Sequence, residues 1–312
     1  MILITGASGF VGRTLFARLV KQQPVRISLR APLLGETPPG AEAVRAQLSP
    51  DQDWSEALCG VSLVVHCAAR VHVMKEDSPD PLTEFRRVNV DGTLHLAREA
   101  AAVGVKRFVF LSSIKVNGEE TALDQPFTEE DIPAPKDPYG ISKYEAEHQL
   151  QQLARDTGME VVIIRPPLVY GPGVKGNFKS LIQWVVKGIP LPLGAINNKR
   201  SFVALDNLID LMITCLDHPA AANQVFLAGD GQDLSTTALL RNVASALGKP
   251  ARLLPVPVFF LRRAARVLGK EAMIHRLCSS LQVDIGKARR VLGWTPPITV
   301  EEGLRRTVSE WV

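Results

Sequence analysis

Through the first half of the chain, short and almost wholly apolar runs alternate with longer segments whose apolar residues recur at helical spacing. Ile2-Leu3-Ile4 leads through a glycine-rich turn into a segment from Phe10 to Gln22, where Val11, Leu15 and Leu19 share one helical face. Val25 to Leu29, Val61 to Cys67, Arg107 to Leu111 and Val161 to Ile164 are the later apolar runs. A long helical stretch from about Pro81 to Ala102 precedes Arg107, and a helix containing Tyr139 precedes Val161. Strands that are apolar on both faces and alternate with helices are what a parallel sheet covered on each side requires. The pattern predicts an α/β fold, a doubly wound parallel sheet.

After Arg165 the texture changes. Pro166-Pro167, Gly171-Pro172-Gly173 and Gly188 to Gly194 interrupt regular periodicity, and the remainder reads as mainly helical. One helix is expected from Ser235 to Leu247, and another from Asp284 to about Leu292, stopped by Gly293. The expected division is a cofactor-binding domain over 1–165 and a smaller, mainly helical substrate domain over 166–312. The segment 201–216 is expected to return and pack on the first domain.

Composition narrows the class. The 312 residues are 46% hydrophobic and 22% charged, which suits a soluble globular enzyme, and a net charge of +4 gives no reason to expect nucleic acid. Cys59, Cys67, Cys215 and Cys278 have neither metal-ligand spacing nor a disulfide framework, and His72, His95 and His148 show no metal spacing, so no metal is expected. No apolar run approaches the ~20 residues of a membrane span, and no basic-then-apolar leader precedes Met1. A cytoplasmic protein without an integral membrane segment is expected. The basic stretch Val258 to Leu268 reads as a surface helix with its apolar face buried, in preference to a membrane-touching one.

Chemistry begins at the first turn. Gly6, Gly9 and Gly12 lie between strand and helix, with Phe10 and Val11 opening that helix. One glycine permits the tight turn, another a close backbone approach to a pyrophosphate, and the third close packing, while the helix N-terminus favours anions. This is a Rossmann-type dinucleotide cradle. Cofactor choice rests on the end of the second strand. An acid there would meet both ribose hydroxyls of NAD, but this strand ends on Arg30, which suits a 2′-phosphate. NADP(H) is therefore favoured, with NAD(H) as the alternative; Arg13 supplies a second nearby charge.

Asp137-Pro138 is a helix entry, and Tyr139 and Lys143 then share one helical face. A free phenol titrates near ~10, and an adjacent ammonium is expected to lower it into a useful range for proton transfer. Ser113 ends the apolar run Phe108 to Leu111, at the strand end where ligands bind in such sheets. It can donate to a carbonyl oxygen while Tyr139 moves the proton, with Ser112 as the competing candidate.

The glycine pattern, His66-Cys67-Ala68-Ala69, Ser112-Ser113, Tyr139 to Lys143, Arg165 to Gly173 and Leu292 to Pro296 together resemble the extended short-chain dehydrogenase/reductase family. The resemblance spans essentially the whole chain. It implies Ser113, Tyr139 and Lys143 as the catalytic set, and Ala68, Ala69 and Pro166 beside the cofactor. The family often has an acid for the adenine near the third strand's end, where this chain has Gln47-Leu48. It usually has an aromatic residue where this chain has Asn117. Asn177 and Arg200 match its diphosphate contacts, and Leu193 lies in the segment that meets the base, most often uracil. The resemblance implies a UDP-sugar as partner and a homodimer formed through helices of the first domain.

Three reactions compete in that family. A 4,6-dehydratase places Asp-Glu after the catalytic hydroxyl, and Ile114-Lys115 stands here instead. A 4-keto reductase agrees with Arg30, and the texture of Ser113 to Gly118 resembles bacterial surface-polysaccharide enzymes. These include reductases of UDP-4-keto-6-deoxy-N-acetylglucosamine that form UDP-N-acetylquinovosamine. A UDP-hexose 4-epimerase retaining NAD is the alternative. From another class, a non-catalytic NAD(P)-sensing protein would commonly lack the Tyr139-Lys143 pair.

Overall fold

The computed structural model describes residues 1–30, 38–71 and 80–311. The strands are β1 (Ile2–Thr5), β2 (Val25–Leu29), β3 (Ala41–Arg45), β4 (Leu63–His66), β5 (Arg107–Leu111), β6 (Glu160–Arg165), β7 (Leu168–Tyr170), β8 (Phe202–Ala204) and β9 (Val225–Leu227). Seven form one parallel sheet in the order β3-β2-β1-β4-β5-β6-β9, and β7 pairs with β8 in a separate parallel ribbon. This is the doubly wound, Rossmann-like fold. The strand order reverses between β1 and β4, so a crevice opens at their carboxyl ends. The register pairs Thr5 with Ser28 on one side and His66 on the other.

Each face of the sheet has its own core. One face packs Leu15 and Leu19 of helix Phe10–Leu19 with Leu208, Leu211 and Met212 of helix Leu205–Asp217. The Arg107 guanidinium fastens this last helix by donating to the carbonyls of Cys215, Leu216 and His218. The other face packs Leu94, Leu96 and Ala97 of helix Thr93–Ala102 with Ala146, Leu150 and Ala154 of helix Pro138–Thr157. A third apolar cluster lies in the second half, around Tyr170, Phe178, Phe202, Leu240 and Leu304.

Two local differences from the sequence pattern matter. The stretch from Pro81 to Ala102 is helical throughout, but Arg87–Gly92 is a π-helical turn, which rotates the side chains that follow. Asp284 does not occupy the cap position itself. The helix is Gly286–Leu292, entered through Ile285, and the Asp284 carboxylate accepts from the Gly286 N–H at 2.7 Å. Gly293 ends it with φ +62°, as expected.

Candidate active site

The glycines of the first turn are required by contact as well as by conformation. Gly6 has φ +72°, and a Cβ there would lie 2.6 Å from the Ala68 nitrogen. A Cβ on Gly12 would lie 2.3 Å from the Gly6 carbonyl oxygen. Helix Phe10–Leu19 starts at Gly9 with no side-chain cap, so its first N–H groups face the crevice mouth uncapped. The backbone therefore fits a dinucleotide pyrophosphate. Ala68 and Ala69, both half-buried, follow β4 directly over this turn, and the Ala68 N–H donates to Thr5 Oγ1 at 3.3 Å.

Arg30 is exposed at the end of β2 and forms no ion pair among the described residues. Arg13 is turned elsewhere: its guanidinium lies beside Gly173, 3.2 Å from where a Cβ would stand. Leu48 is half-buried against Gly92, while Gln47 is exposed and its N–H donates to Gln52 Oε1. Pro166 is buried, and its carbonyl accepts from the Ile114 N–H at 3.0 Å, linking the end of β6 to the serine turn.

Helix Pro138–Thr157 begins at Asp137, whose carboxylate accepts from the Gly140 N–H at 2.7 Å. Lys143 is buried, donates to the Leu111 carbonyl at 2.8 Å and lies 4.3 Å from the Phe110 ring centre. Burial brings its ammonium down to about 8, resisted by Cys67 and Glu147. Tyr139 is half-buried with its ring edge-on to Phe85 at 6.2 Å. Burial and then the Asp137 carboxylate push its phenol up, opposite to the lowering expected from Lys143. The phenol is thus held protonated. Lys115 forms an ion pair with Asp137 and so ties the serine turn to the start of this helix.

The two serines separate cleanly. Ser112 is buried and its hydroxyl donates to Glu147, which also takes the Arg165 guanidinium at 3.0 and 3.1 Å through Nε. The same guanidinium donates to Asn117 Oδ1 at 2.9 Å, and Asn117 Nδ2 donates to the Thr128 carbonyl at 2.8 Å. The departure at Asn117 therefore completes a buried polar network. Ser113 is half-buried, and its Oγ accepts from the Lys115 N–H at 3.3 Å, which leaves its proton for another acceptor.

Thr5 and Thr93 carry no local sequence signal of this kind. Thr5, His66 and Thr93 form a buried chain, with His66 Nδ1 2.6 Å from Thr5 Oγ1 and Nε2 2.9 Å from Thr93 Oγ1. Burial and then Lys143 bring the imidazole down to about 3, so it is neutral. Asn89, in the π-turn, accepts from the Arg70 N–H at 2.7 Å and donates to the Arg70 carbonyl and Ser142 Oγ, each at 3.0 Å. It locks the loop after β4 to the Tyr139 helix.

The residues matched to a diphosphate lie in the second half. Asn177 is exposed in the first turn of helix Gly176–Val186, where Lys175 holds the cap position, so it is not a cap. Arg200 is half-buried, donates to the carbonyls of Arg276 and Ser279, and has no carboxylate partner among the described residues. Leu193 is buried, its carbonyl accepts from Thr237 Oγ1, and the next N–H, of Gly194, donates to the Leu254 carbonyl. Among the described residues no metal-binding cluster of His, Cys, Asp or Glu is present; His72 lies outside them. No described helix is long and apolar enough to cross a membrane.

The model of the NAD dependent epimerase/dehydratase family matches residues 2–229, from the first strand through β9. The chain belongs to that family. Among its relatives, a UDP-glucose 4-epimerase of Vibrio cholerae is 48% identical over all of this chain and 95% of its own length. A UDP-glucose 4-epimerase of Thermotoga maritima, solved with UDP-glucose, is 25% identical with a TM-score of 0.76, covering 99% of this chain and 98% of its own. RMD of Pseudomonas aeruginosa, solved with NADPH, is 25% identical with a TM-score of 0.75 and the same coverage. Proteins similar to this chain thus include UDP-glucose 4-epimerases and one protein solved with NADPH. The family supports an enzyme using a nicotinamide cofactor.

Proposed function

We propose that the protein is an NAD(P)-dependent oxidoreductase acting at C4 of a nucleotide-diphosphate sugar, and that it runs as a reductase of a UDP-4-keto-6-deoxy-HexNAc. The observation that carries this reading is that the buried Lys143, bonded to the Leu111 carbonyl, and the Lys115–Asp137 ion pair hold the start of the Tyr139 helix against the end of β5, where the Ser113 hydroxyl is uncommitted. The bound cofactor would supply the hydride. Tyr139 gives its proton to the C4 oxygen as negative charge develops there, and Ser113 donates a hydrogen bond to the same oxygen. Lys143 uses one of its three N–H bonds on Leu111, leaving the others to orient the phenol and a ribose hydroxyl. Arg200, which donates to two carbonyls and has no carboxylate partner among the described residues, suits a diphosphate, and Asn177 and the Leu193 segment complete the substrate set.

Two features support net reduction. Among the described residues Arg30 forms no ion pair, which suits NADP(H), and Tyr139 is held in the protonated form that a reduction consumes. The 48% identity to a protein named UDP-glucose 4-epimerase favours the second reading, a 4-epimerase with retained NAD(H). A homodimer through helices of the first domain and a cytoplasmic location belong to the same proposal.

The deciding measurement offers the protein a UDP-4-keto-6-deoxy sugar with NADPH and, separately, UDP-hexoses with NAD. Stoichiometric loss of NADPH absorbance is expected, weakened for NADPH over NADH in Arg30→Ala. Interconversion of UDP-hexoses with no net cofactor change would instead establish the epimerase. Tyr139→Phe should lower turnover by about 10²–10⁴-fold with cofactor affinity retained. Unchanged turnover in that variant would remove the catalytic assignment, and a protein that binds cofactor but turns over neither sugar would be a sensor.

A further inference from the structure

The expectation that helix Val258–Val267 buries its apolar face is met on one side only. Leu261 and Ala265 are buried against the second-half core, with Val258 packed beside them. The opposite side, reached by 100° steps per residue, carries Phe259, Phe260, Arg263 and Val267. The two phenylalanines are 62% and 59% exposed and Val267 is 87% exposed. Leu268, at the end of the same helix, is 67% exposed. The rings of Phe259 and Phe260 meet edge-on at 5.6 Å, and the Arg263 guanidinium stands 5.6 Å from the Phe259 ring. Helix Glu271–Cys278 packs against this helix and adds a half-exposed Met273.

Charge is segregated to the same place. Residues 249–278 hold seven of the chain's 36 Lys and Arg but one of its 32 Asp and Glu. That stretch is net +6, so the rest of a chain of net +4 is net −2. Arg262, Arg263, Arg266 and Lys270 are all exposed, and the one acid, Glu271, pairs with Arg266 at 2.9 Å. A water-facing helix has no use for adjacent phenylalanines, and a protein-binding groove would not need so one-sided a charge. Aromatic and aliphatic side chains interleaved with arginines suit an interface where phosphate groups overlie hydrocarbon.

We propose that the outward face of the helix pair Val258–Val267 and Glu271–Cys278 docks on the surface of an anionic lipid bilayer. Phe259, Phe260 and Val267 enter the boundary between headgroups and acyl chains, and Arg262, Arg263, Arg266 and Lys270 lie among the lipid phosphates. The pair is rooted where substrate is expected: the carbonyls of Arg276 and Ser279 hold Arg200, and the Leu254 carbonyl accepts from Gly194. Docking would therefore hold the sugar site close to the membrane plane. The inference does not depend on which reaction the site performs.

The test is sedimentation of the full-length protein with large vesicles of phosphatidylethanolamine and phosphatidylglycerol, against vesicles of phosphatidylcholine alone, at low and high salt. Partitioning to the anionic vesicles should exceed that to phosphatidylcholine by at least about tenfold and weaken as salt screens the arginines. Phe259→Ser with Phe260→Ser, and separately Arg262→Glu with Arg263→Glu, should each reduce it by about tenfold or more with cofactor binding unchanged. Phe260→Trp should show a blue-shifted emission quenched by brominated acyl chains. Equal partitioning to both vesicles, or anionic binding indifferent to the phenylalanine changes, would overturn the proposal. So would a wild-type oligomer that the serine variants dissolve without any vesicle binding, since the face would then be a contact between copies.

Discussion

His66 lies wholly out of water between Thr5 and Thr93, its ring stacked on Phe110 at 5.7 Å, and its imidazole is brought down to about 3. An unfolded chain takes up that proton near ~6.5. Between those values the unfolded state binds the extra proton, so the stability from neutral His66 is complete above ~6.5 and declines as pH falls, by up to ~1.4 kcal/mol per pH unit. Urea midpoints between pH 7.5 and 5.5 should show this decline, and His66→Asn should flatten it; parallel curves would show that the proton is taken up elsewhere. Lys143 works the other way. Its ammonium is brought down to about 8, below the ~10.4 of an unfolded lysine, so the folded state bears a penalty below about 8 that is relieved as pH rises towards 10.4. At pH 7, Lys143→Met should raise the thermal midpoint while abolishing turnover, the signature of a charge kept for chemistry at the expense of stability. A lowered midpoint would mean that its bond to Leu111 outweighs its burial.

One helix, Pro138–Thr157, carries three separate tasks along its length. Its first turns hold Tyr139 and Lys143, Ser142 takes the bond from Asn89, and Glu147 anchors Arg165 and Ser112. The start of this helix was legible, because an acid before proline and a Tyr-Lys pair four apart are local signals. The Glu147 network was not. It joins positions 112, 117, 147 and 165, which share no periodicity and meet only when β5, β6 and this helix pack. That packing also separates Ser112 from Ser113, two neighbours that sequence distinguishes weakly. Glu147→Gln would leave the Arg165 charge buried without its counter-charge, a change that costs about 3–5 kcal/mol in such sites. Chemical denaturation should show that loss, and a change under about 1 kcal/mol would mean water reaches the pair. The π-turn at Arg87–Gly92 was equally invisible, since a single six-residue turn is too short for its shift of phase to stand out from α-helical spacing.

At the scale of the molecule, the alternation of strands and helices made the parallel sheet readable as far as β6, because each strand is continuously apolar. β9 escaped that reading: three residues, Val225 to Leu227, are too few to give a period. Helix Leu205–Asp217 gives more, with eight buried residues on its inner face, and it covers the same sheet face as helix Phe10–Leu19. The chain thus crosses to the second half after β6, returns for a helix and a strand, and leaves again. Composition over the whole chain was misleading in one respect. A mild net charge of +4 conceals a basic stretch set on an otherwise slightly acidic body.

β9 pairs with β6 through Ile163, Ile164 and Arg165, yet every residue from Pro166 to Gln224 is synthesised between them. During translation the outer edge of β6 therefore emerges with its N–H and C=O groups unpaired, and an open strand edge is a template for pairing with other chains. The sheet cannot close at this edge until residues 166–224 and β9 itself have left the ribosome. The two halves are consequently one unit of biosynthesis, and a cut at Arg165 would part β9 from the sheet it completes.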